Sequence, residues 1–265
     1  MNAVILIPAR YGSSRFPGKP IFPLKGASGV AKPLIERTVE AARRVAGVSG
    51  VFVVTDDERI ADACAPACVG VIMTSSECRN GTERCAEALA QLHDVDLVIN
   101  FQGDALLTPA GFVEALIARM DTDPDALVAT PALRLRSDEV RTLQAEEAAG
   151  RVGGTSVVTD TKGRALYFSK RLIPHLPVGA LDDAMSPVRL HVGVYAYRPA
   201  ALSLYAATPP SDLEQLEGLE QLRFLAAGVP VAVIDVETPA FALRELNNPE
   251  DVAPIEEALA AAGLE

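Results

Sequence analysis

Short, continuous apolar runs separated by amphipathic segments are the feature that most constrains the fold of this chain. The runs Val4–Ile7, Val51–Val54 and Leu97–Phe101 contain almost no polar residue, as is typical of strands covered on both faces. Between them, Lys32–Val45 and Glu83–His93 have the apolar spacing of amphipathic helices. This order of elements predicts an α/β fold with a mixed, mostly parallel sheet flanked by helices.

The character of the sequence changes after Pro131. Three β-rich segments and an irregular stretch from 174 to 187 follow, and the β-rich segments are Thr155–Thr159, Ala165–Ser169 and His191–Tyr197. The carboxy-terminal part predicts a helix over Leu213–Ala227, a strand over Val229–Val236 and a helix over Ala253–Ala262. No linker or internal repeat divides the chain. We therefore predict one domain over residues 1–265, with a β-rich arm at about 150–200.

Charge and cysteine content limit the partners of the chain. Its 265 residues carry a formal net charge of −11, which repels nucleic acid and anionic membranes and makes neither an expected partner. A phosphate substrate would therefore need a local cationic site. The cysteines, at 64, 68, 78 and 85, lack zinc-site spacing and indicate a reducing cytoplasm. No apolar run has the length of a membrane span or the form of a secretory signal.

Such a cationic site follows the first predicted strand. The loop within residues 7–20 carries Arg10, Arg15 and Lys19, and ligands of parallel α/β sheets bind beyond the carboxyl ends of strands. Gly12 and Gly18 allow backbone N–H groups to approach phosphates closely. The pattern predicts a polyphosphate site, and its alternative is a solvated basic loop. Neither the P-loop order of an ATPase nor the Gly-x-Gly-x-x-Gly of a dinucleotide-dependent oxidoreductase is present.

Two further motifs follow predicted strands. Gln102-Gly103-Asp104 closes the apolar run at 97–101, and a carboxylate there can hold Mg²⁺, which prefers oxygen ligands, or can cap a turn. Residues 80–84 read Asn-Gly-Thr-Glu-Arg. This pattern predicts a turn that opens a helix, with Gly81 or Thr82 as the cap residue.

Taken together and in this order, these motifs resemble those of the 3-deoxy-manno-octulosonate (Kdo) cytidylyltransferases and, more distantly, the CMP-sialic acid synthetases. Residues 54–60, 166–169, 191–197 and 219–223 extend the resemblance. It implies a Rossmann-like fold of the nucleotide-diphospho-sugar transferase type. The implied enzyme transfers CMP from CTP to the anomeric hydroxyl of a 2-keto-3-deoxy sugar acid, Kdo, and releases pyrophosphate. Mg²⁺ as cofactor, a homodimer formed through the β-rich arm, and a role in lipopolysaccharide or capsule precursor synthesis are also implied.

The resemblance also implies roles for individual residues. The implied catalytic residues are Arg10, Arg15, Lys19 and Asp104. The implied nucleotide-binding residues are Pro8, Ala9, Arg10, Ser13, Arg15, Lys19, Asn80, Gly81, Thr82 and Arg84. The implied sugar-acid-binding residues are Gln102, Lys170, Arg171, His191, Tyr195, Glu220 and Gln221. The implied Mg²⁺ ligands are Asp104 and Asn247.

The chain departs from the family pattern at three places. The family has an arginine after the serine at 169, to receive the sugar carboxylate, whereas this chain has Lys170 and then Arg171. Either can neutralise a carboxylate, but lysine lacks the bidentate geometry. A second metal-binding aspartate of the family is replaced by Asn247, with Glu245 as a candidate substitute. The Gln-Gly-Asp motif is followed by Ala and Leu instead of Glu and Pro.

These departures leave two other functions open. One is a cytidylyltransferase for another acid, such as an amino-substituted Kdo or a nonulosonate, because the differences at 170, 171 and 247 fall among the substrate and metal positions. The other is a CTP-binding homologue without catalysis, because a carboxylate ligand is lost. Pyrophosphate release with a panel of acids distinguishes the three.

Overall fold

Most strands of the protein form one large mixed sheet. The computed structural model describes residues 1–13, 15–241 and 243–265. Its strands are β1 (Ala3–Ala9), β2 (Pro23–Lys25), β3 (Ala31–Pro33), β4 (Gly50–Thr55), β5 (Gly70–Met73), β6 (Leu97–Phe101), β7 (Val128–Arg136), β8 (Ser156–Thr159), β9 (Ala165–Ser169), β10 (Met185–His191), β11 (Val194–Tyr197) and β12 (Val231–Val236). The ten-stranded sheet has the order β5-β4-β1-β6-β11-β7-β10-β8-β9, with β12 paired to β7, and β2 and β3 form a separate hairpin.

Helices lie between the strands along most of the chain. They are α1 (Leu34–Ala42), α2 (Glu58–Ala63), α3 (Gly81–Leu89), α4 (Ala110–Thr122), α5 (Ser137–Ala148), α6 (Pro199–Ala207), α7 (Asp212–Glu217), α8 (Leu222–Ala226) and α9 (Val252–Ala262). Short 3₁₀ helices span Lys19–Ile21, Ala65–Ala67 and Pro249–Asp251. Among the described residues, no helix has the length and apolarity that crossing a bilayer requires.

The amino-terminal half of the sheet is parallel and covered on both faces. β1 pairs in parallel with β4 and β6, and all of its residues are buried. Ile5 and Ile7 belong to one core cluster, whereas Val4 and Leu6 belong to the cluster on the opposite face. Burial on both faces explains why these strands are apolar without alternation. The predicted α/β class, with a mixed sheet flanked by helices, is confirmed.

Parallel pairing also brings two loops together. Because β1 and β6 run in the same direction as neighbours, their carboxyl ends lie at the same edge of the sheet. Arg10 therefore begins one loop next to the loop that Gln102 begins. β11 lies antiparallel on the other side of β6, so the sheet changes direction beside this edge.

The strand that contains Pro131 is missed by the sequence patterns. β7 pairs with β11 at residues 128–129 and with β10 from residue 132 onward, while β12 lies along its other side. Pro131 falls in the gap between the first two ladders, and its carbonyl accepts the N–H of Val192. A proline is tolerated there because no ladder bond requires its missing N–H.

Several predicted segments differ in extent from the structure. The strand predicted over 191–197 is two strands, because β10 ends at His191 and β11 begins at Val194, after a tight turn closed by the Val194 N–H on the Val192 carbonyl (2.8 Å). β10 also begins at Met185, inside the stretch predicted to be irregular. The helix predicted over 213–227 is broken by Gly218, which ends α7 with a φ of 61°. A left-handed backbone there favours glycine.

The β-rich middle region extends the same sheet instead of standing apart from it. β10 pairs antiparallel with β7 and β8, and β8 pairs antiparallel with β9, which lies at the edge of the sheet. That residues 1–265 form one domain, and that residues 150–200 make a dimer contact, stay predictions.

Candidate active site

A cleft of about 900 Å³ opens at the edge of the sheet where β1 and β6 end. Of the residues implied by the resemblance, those that line it are Pro8, Ala9, Arg10, Ser13, Arg15, Lys19, Asn80, Gly81, Arg84, Gln102, Asp104, Lys170, His191, Tyr195, Glu220, Gln221 and Asn247. Glu245 lines it as well. Positions far apart in the chain thus meet in one space, and only Thr82 and Arg171 of the implied set lie outside the lining.

The cationic loop after β1 faces the loops that carry Asp104 and Asn247. The Lys19 ammonium lies 2.5 Å from Asp104 Oδ2, and both side chains are 17% exposed. Arg15 donates from its guanidinium to Asn247 Oδ1 at 2.9 Å. Arg10 lies exposed in the same cleft. Ser14, which belongs to the predicted loop, lies outside the described residues.

Two carboxylates and one amide bring oxygen atoms to this end of the cleft. The nearby Asp104 charge and, second to it, loss of hydration raise the pKa of the Glu245 carboxyl to about 7. A hydrogen bond from Asn247 and the charges of Lys19 and Arg15 act in the opposite direction. Among the described ranges, no group of three or more His, Cys, Asp or Glu side chains could hold a metal. A metal site here would thus combine Asp104 and Glu245 with the neutral oxygen of Asn247.

The turn at residues 80–82 opens α3, but its cap residue differs from the prediction. Asn80 is the N-cap, since its Oδ1 accepts the N–H of Glu83 at 2.9 Å. The expectation of Gly81 or Thr82 as cap is wrong, because these two residues already belong to the first turn of α3. The Asn80 amide also donates to the Tyr205 hydroxyl at 2.9 Å, which fixes the side chain on both sides.

Thr82 is buried and does not line the cleft. Its side chain has no exposed surface, and its hydroxyl lies 3.0 Å from the hydroxyl of Tyr197. The side chain points into the core because Thr82 is on the inner face of α3. Its backbone N–H nevertheless points toward the cleft and donates to Glu220 Oε2 at 3.2 Å.

Arg84 lines the cleft with a guanidinium that is already engaged. The residue is 3% exposed, and it pairs with Asp56 at 3.1 Å and donates to the Thr74 hydroxyl at 2.5 Å. These contacts hold α3 to the loops after β4 and β5. Arg84 therefore contributes a fixed positive charge to this wall of the cleft.

The opposite side of the cleft is built from β10, β11 and the turn between α7 and α8. Burial lowers the pKa of His191 to about 3, so this imidazole is neutral near pH 7, and its Nε2 lies 3.0 Å from the Thr130 hydroxyl. Tyr195 is buried beside the imidazole, with ring centroids 5.3 Å apart. Gln221 is 2% exposed, and its Nε2 has no hydrogen-bond partner among the described residues. A ligand oxygen would satisfy that donor.

Lys170 and Arg171 point in different directions. Lys170 lines the cleft, and its Nζ lies beside Gly218, 2.9 Å from where a Cβ would be. Its backbone N–H donates to Glu217 Oε2 at 3.0 Å. Arg171 lies outside the cleft because its guanidinium pairs with Glu147 at 3.1 Å and is 73% exposed. Of these two cations, Lys170 is therefore the one that reaches the cleft.

Several lining residues were not found from the sequence. Arg79 and Arg244 add cations to the cleft, and each directly precedes a motif residue, Asn80 and Glu245 respectively. Their position next to these motifs was the available signal.

The departure at Ala105 and Leu106 also has a structural reason. Leu106 is 2% exposed and packs in an apolar cluster with residues of α1 and α9, so this part of the loop belongs to the core.

A mixed α/β sheet that places clustered cations opposite oxygen ligands, beyond the end of its first strand, defines a protein of the nucleotidyltransferase class. A family model described as cytidylyltransferase matches residues 4–235. The 3-deoxy-manno-octulosonate cytidylyltransferase of Maricaulis maris (strain MCS10) is 39% identical over 99% of both chains. The 8-amino-3,8-dideoxy-manno-octulosonate cytidylyltransferase of Shewanella sediminis (strain HAW-EB3) is 38% identical over 98% of this chain and 99% of its own.

A solved structure described as CMP:2-keto-3-deoxy-manno-octonic acid synthetase complexed with CTP superposes with a TM-score of 0.84. It is 36% identical and is matched over 99% of this chain and 100% of its own. The chain belongs to the cytidylyltransferase family, among the 3-deoxy-manno-octulosonate cytidylyltransferases. The resemblance drawn from the sequence motifs is confirmed.

Proposed function

We propose that this protein transfers CMP from CTP to the anomeric hydroxyl of Kdo and releases pyrophosphate. The observation that carries the proposal is the cleft itself, in which Lys19 and Arg15 face Asp104 and Asn247 while Lys170 and Gln221 lie at the other side. Relatives named as Kdo cytidylyltransferases and a CTP complex of similar fold support it.

The residues of the chain fit the two charged substrates. Arg10, Arg15 and Lys19 would hold the triphosphate and stabilise the negative charge of the departing pyrophosphate. The sugar hydroxyl would attack the α-phosphorus in line with the bond to pyrophosphate, so positioning and charge neutralisation account for most of the rate. The neutral His191 would serve as a hydrogen-bonding group toward the sugar acid and not as a charged one.

The oxygen atoms of Asp104, Asn247 and Glu245 fit Mg²⁺, which prefers oxygen ligands and usually takes only one or two carboxylates from the protein. The raised pKa of Glu245 supports this fit, because two carboxylates that lie close together favour a cation between them. When bound, Mg²⁺ would screen the phosphate charge and lower the pKa of the attacking hydroxyl. The Lys19 ammonium lies against the same Asp104 carboxylate. This lysine would therefore turn to the triphosphate when the carboxylate holds a cation.

The identity of the acid is the finer part of the proposal. Lys170 would receive the sugar carboxylate, and Gln221 would donate to a sugar oxygen. An 8-amino derivative of Kdo is the second candidate, because relatives of nearly equal identity are named for it. Kdo is the first candidate, since the M. maris relative and the structural match are named for it.

The test measures pyrophosphate release by the purified protein with CTP and Mg²⁺. Kdo, its 8-amino derivative and a nonulosonate are supplied separately, and the reaction without acid is the blank. We expect the highest kcat/KM with Kdo. Asp104→Ala should reduce turnover at least about a thousandfold while the protein stays folded, as loss of a charge-stabilising group at a reacting phosphate does. Tight CTP binding without pyrophosphate release from any acid would identify a non-catalytic homologue instead.

The proposal also includes a homodimer, a cytoplasmic location and a role in lipopolysaccharide or capsule precursor synthesis. Val152, Leu166 and Val178 are exposed apolar residues within the 150–200 region, which supports a contact there. All four cysteines are free thiols, which suits a reducing compartment. A sugar acid activated as its CMP derivative suits transfer onto a surface polysaccharide.

A further inference from the structure

We propose that Glu220 is a positioning residue for CTP: its carboxylate holds the turn at Thr82 and the Gln102 side chain together, and so couples the two sides of the cleft. The inference rests on the proposed function and adds to it. By resemblance, Glu220 contacts only the sugar acid. The contacts in the structure give it a role in nucleotide binding as well.

Both oxygens of the Glu220 carboxylate accept hydrogen bonds from the protein. Oε2 accepts the backbone N–H of Thr82 at 3.2 Å, and Oε1 accepts from Gln102 Nε2 at 3.4 Å. Thr82 is the second residue of α3, and an N–H in the first turn has no partner within its own helix. Asn80 satisfies the N–H of Glu83, and Glu220 satisfies a second N–H of the first turn of α3.

The electrostatics of this contact are favourable. A carboxylate is stabilised at the amino terminus of a helix by the partial positive charge there. Burial raises the pKa of Glu220, and the hydrogen bond from Thr82 acts against that shift. The helix terminus and this hydrogen bond thus offset part of the cost of burying the carboxylate that accepts both hydrogen bonds. Without Glu220, the Thr82 N–H would be left without an acceptor in the cleft wall.

Tight packing makes the position of this turn sensitive to Glu220. A Cβ on Gly81 would lie 3.1 Å from Pro8 Cγ and 3.3 Å from Gln102 Nε2. The turn therefore lies directly against the end of β1 on one side and against Gln102 on the other. A small displacement of either partner changes the surface that Asn80 and Gly81 present to the nucleotide.

A second contact holds the same elements together independently. Arg223, on α8, pairs with Glu83 of α3 at 3.0 Å and with Glu214 of α7 at 2.6 Å. It is 1% exposed. Because this buried network stays in place when Glu220 is changed, a variant at 220 alters the turn without separating α3 from α8.

The experiment compares Glu220→Gln with the wild type and with Glu217→Gln. An amide has a single oxygen acceptor, so one of the two donors that Glu220 satisfies would lose its partner. We expect the dissociation constant for CTP, measured by calorimetry with Mg²⁺ and without sugar acid, to rise about tenfold, the effect of losing one charge-assisted hydrogen bond. Glu217 is the matched control, because its carboxylate accepts from Ser169 and Lys170 and not from α3, and Glu217→Gln should leave CTP affinity unchanged.

The outcomes separate this inference from the proposed function. If the wild type binds CTP and Glu220→Gln binds it equally well, with only the KM for the sugar acid raised, the inference is overturned and the proposed function stands. If the wild type does not bind CTP, both are overturned. Glu220→Asp keeps the charge but shortens the side chain, and the same loss of CTP affinity in that variant supports the inference. Wild-type hydrogen exchange adds a measurement without mutation, since a protected Thr82 N–H supports the contact and rapid exchange contradicts it.

Discussion

Two adjacent cations, Lys170 and Arg171, have different surroundings although they are neighbours in the chain. Lys170 lines the cleft beside Gly218, whereas Arg171 pairs with Glu147 outside it. Because β9 ends at Ser169, the two side chains leave the strand end on different sides. The sequence alone left both residues as candidate receivers of the sugar carboxylate, and of the two only Lys170 lines the cleft.

A pair of alanine variants tests this difference. Lys170→Ala should raise the KM for the sugar acid by about tenfold to a hundredfold and leave the KM for CTP unchanged, because a charge-assisted hydrogen bond to the carboxylate is lost. Arg171→Ala should leave both constants near the wild-type values, since an exposed ion pair contributes little. Steady-state kinetics with each substrate varied in turn provide the measurement. An equal effect of the two variants would contradict the assignment.

The neutrality of His191 gives a prediction about pH. Its pKa in the folded protein, about 3, lies below the ordinary value of 6.5, so below pH 6.5 the unfolded chain binds a proton that the folded protein does not. The free energy of unfolding should therefore fall as the pH drops, by about 2 kcal/mol between pH 7 and pH 5 from this residue.

Two measurements check this expectation. The imidazole resonances of His191 should not shift between pH 8 and pH 5, and His191→Gln should reduce the dependence of the unfolding free energy on pH over that range. A titration of the His191 ring near pH 6.5 would contradict it.

Among the elements, the amino terminus of α3 leaves little room for a side chain at Gly81. Gly81→Ala would place a methyl group 3.1 Å from the Pro8 ring, and a proline ring at the end of a buried strand cannot move aside easily. We expect this variant to lose about 1–3 kcal/mol of unfolding free energy, the usual cost of overpacking, and to bind CTP more weakly.

Gly111, in the first turn of α4, is a matched control. No atom lies within 4 Å of the place where its Cβ would be, so Gly111→Ala should stabilise the protein by roughly 0.5–1 kcal/mol, the helix preference for alanine. Urea denaturation of both variants provides the comparison. Equal stability of Gly81→Ala and the wild type would show that the turn at 80–82 can relax.

The extent of several elements could not be predicted from the sequence. The run 191–197 is apolar enough for one strand, but the chain turns between β10, which pairs with β7 and β8, and β11, which pairs with β6 and another part of β7. The segment 213–227 has helical spacing throughout, but Gly218 ends α7, and the turn after it brings Glu220 and Gln221 into the cleft. In both cases the break matters because residues that line the cleft lie at it.

At the scale of the whole molecule, the acidic chain concentrates cations at one place. Its net charge is −11, yet Arg10, Arg15, Lys19, Arg79 and Arg244 all line one cleft. Because the overall field repels a triphosphate, attraction depends on these nearby charges and weakens as salt screens them.

The proposed homodimer gives a prediction at the same scale. Leu166, on the edge strand β9, is 63% exposed, and Val30, in the β2–β3 hairpin, is 54% exposed. If the 150–200 region forms the contact, Leu166→Asp should weaken the dimer, because a charge buried without a partner opposes association. The mass measured by light scattering should then shift from twice the chain mass of 28.0 kDa toward the mass of one chain. Val30→Asp should remain a dimer, and dissociation of both variants alike would contradict a contact specific to that region.

The sequence by itself determined the strands of the parallel core, the cationic loop after β1 and the family. The reason is that burial on both faces requires continuous apolar runs, and phosphate binding requires cations and glycines close together in the chain; both leave a local pattern. Tertiary structure alone decided that Thr82 is buried, that Lys170 and not Arg171 reaches the cleft, and that Glu220 joins α3 to Gln102. The contacts behind these facts join residues that lie between 24 and 138 positions apart in the chain, and no local spacing records them.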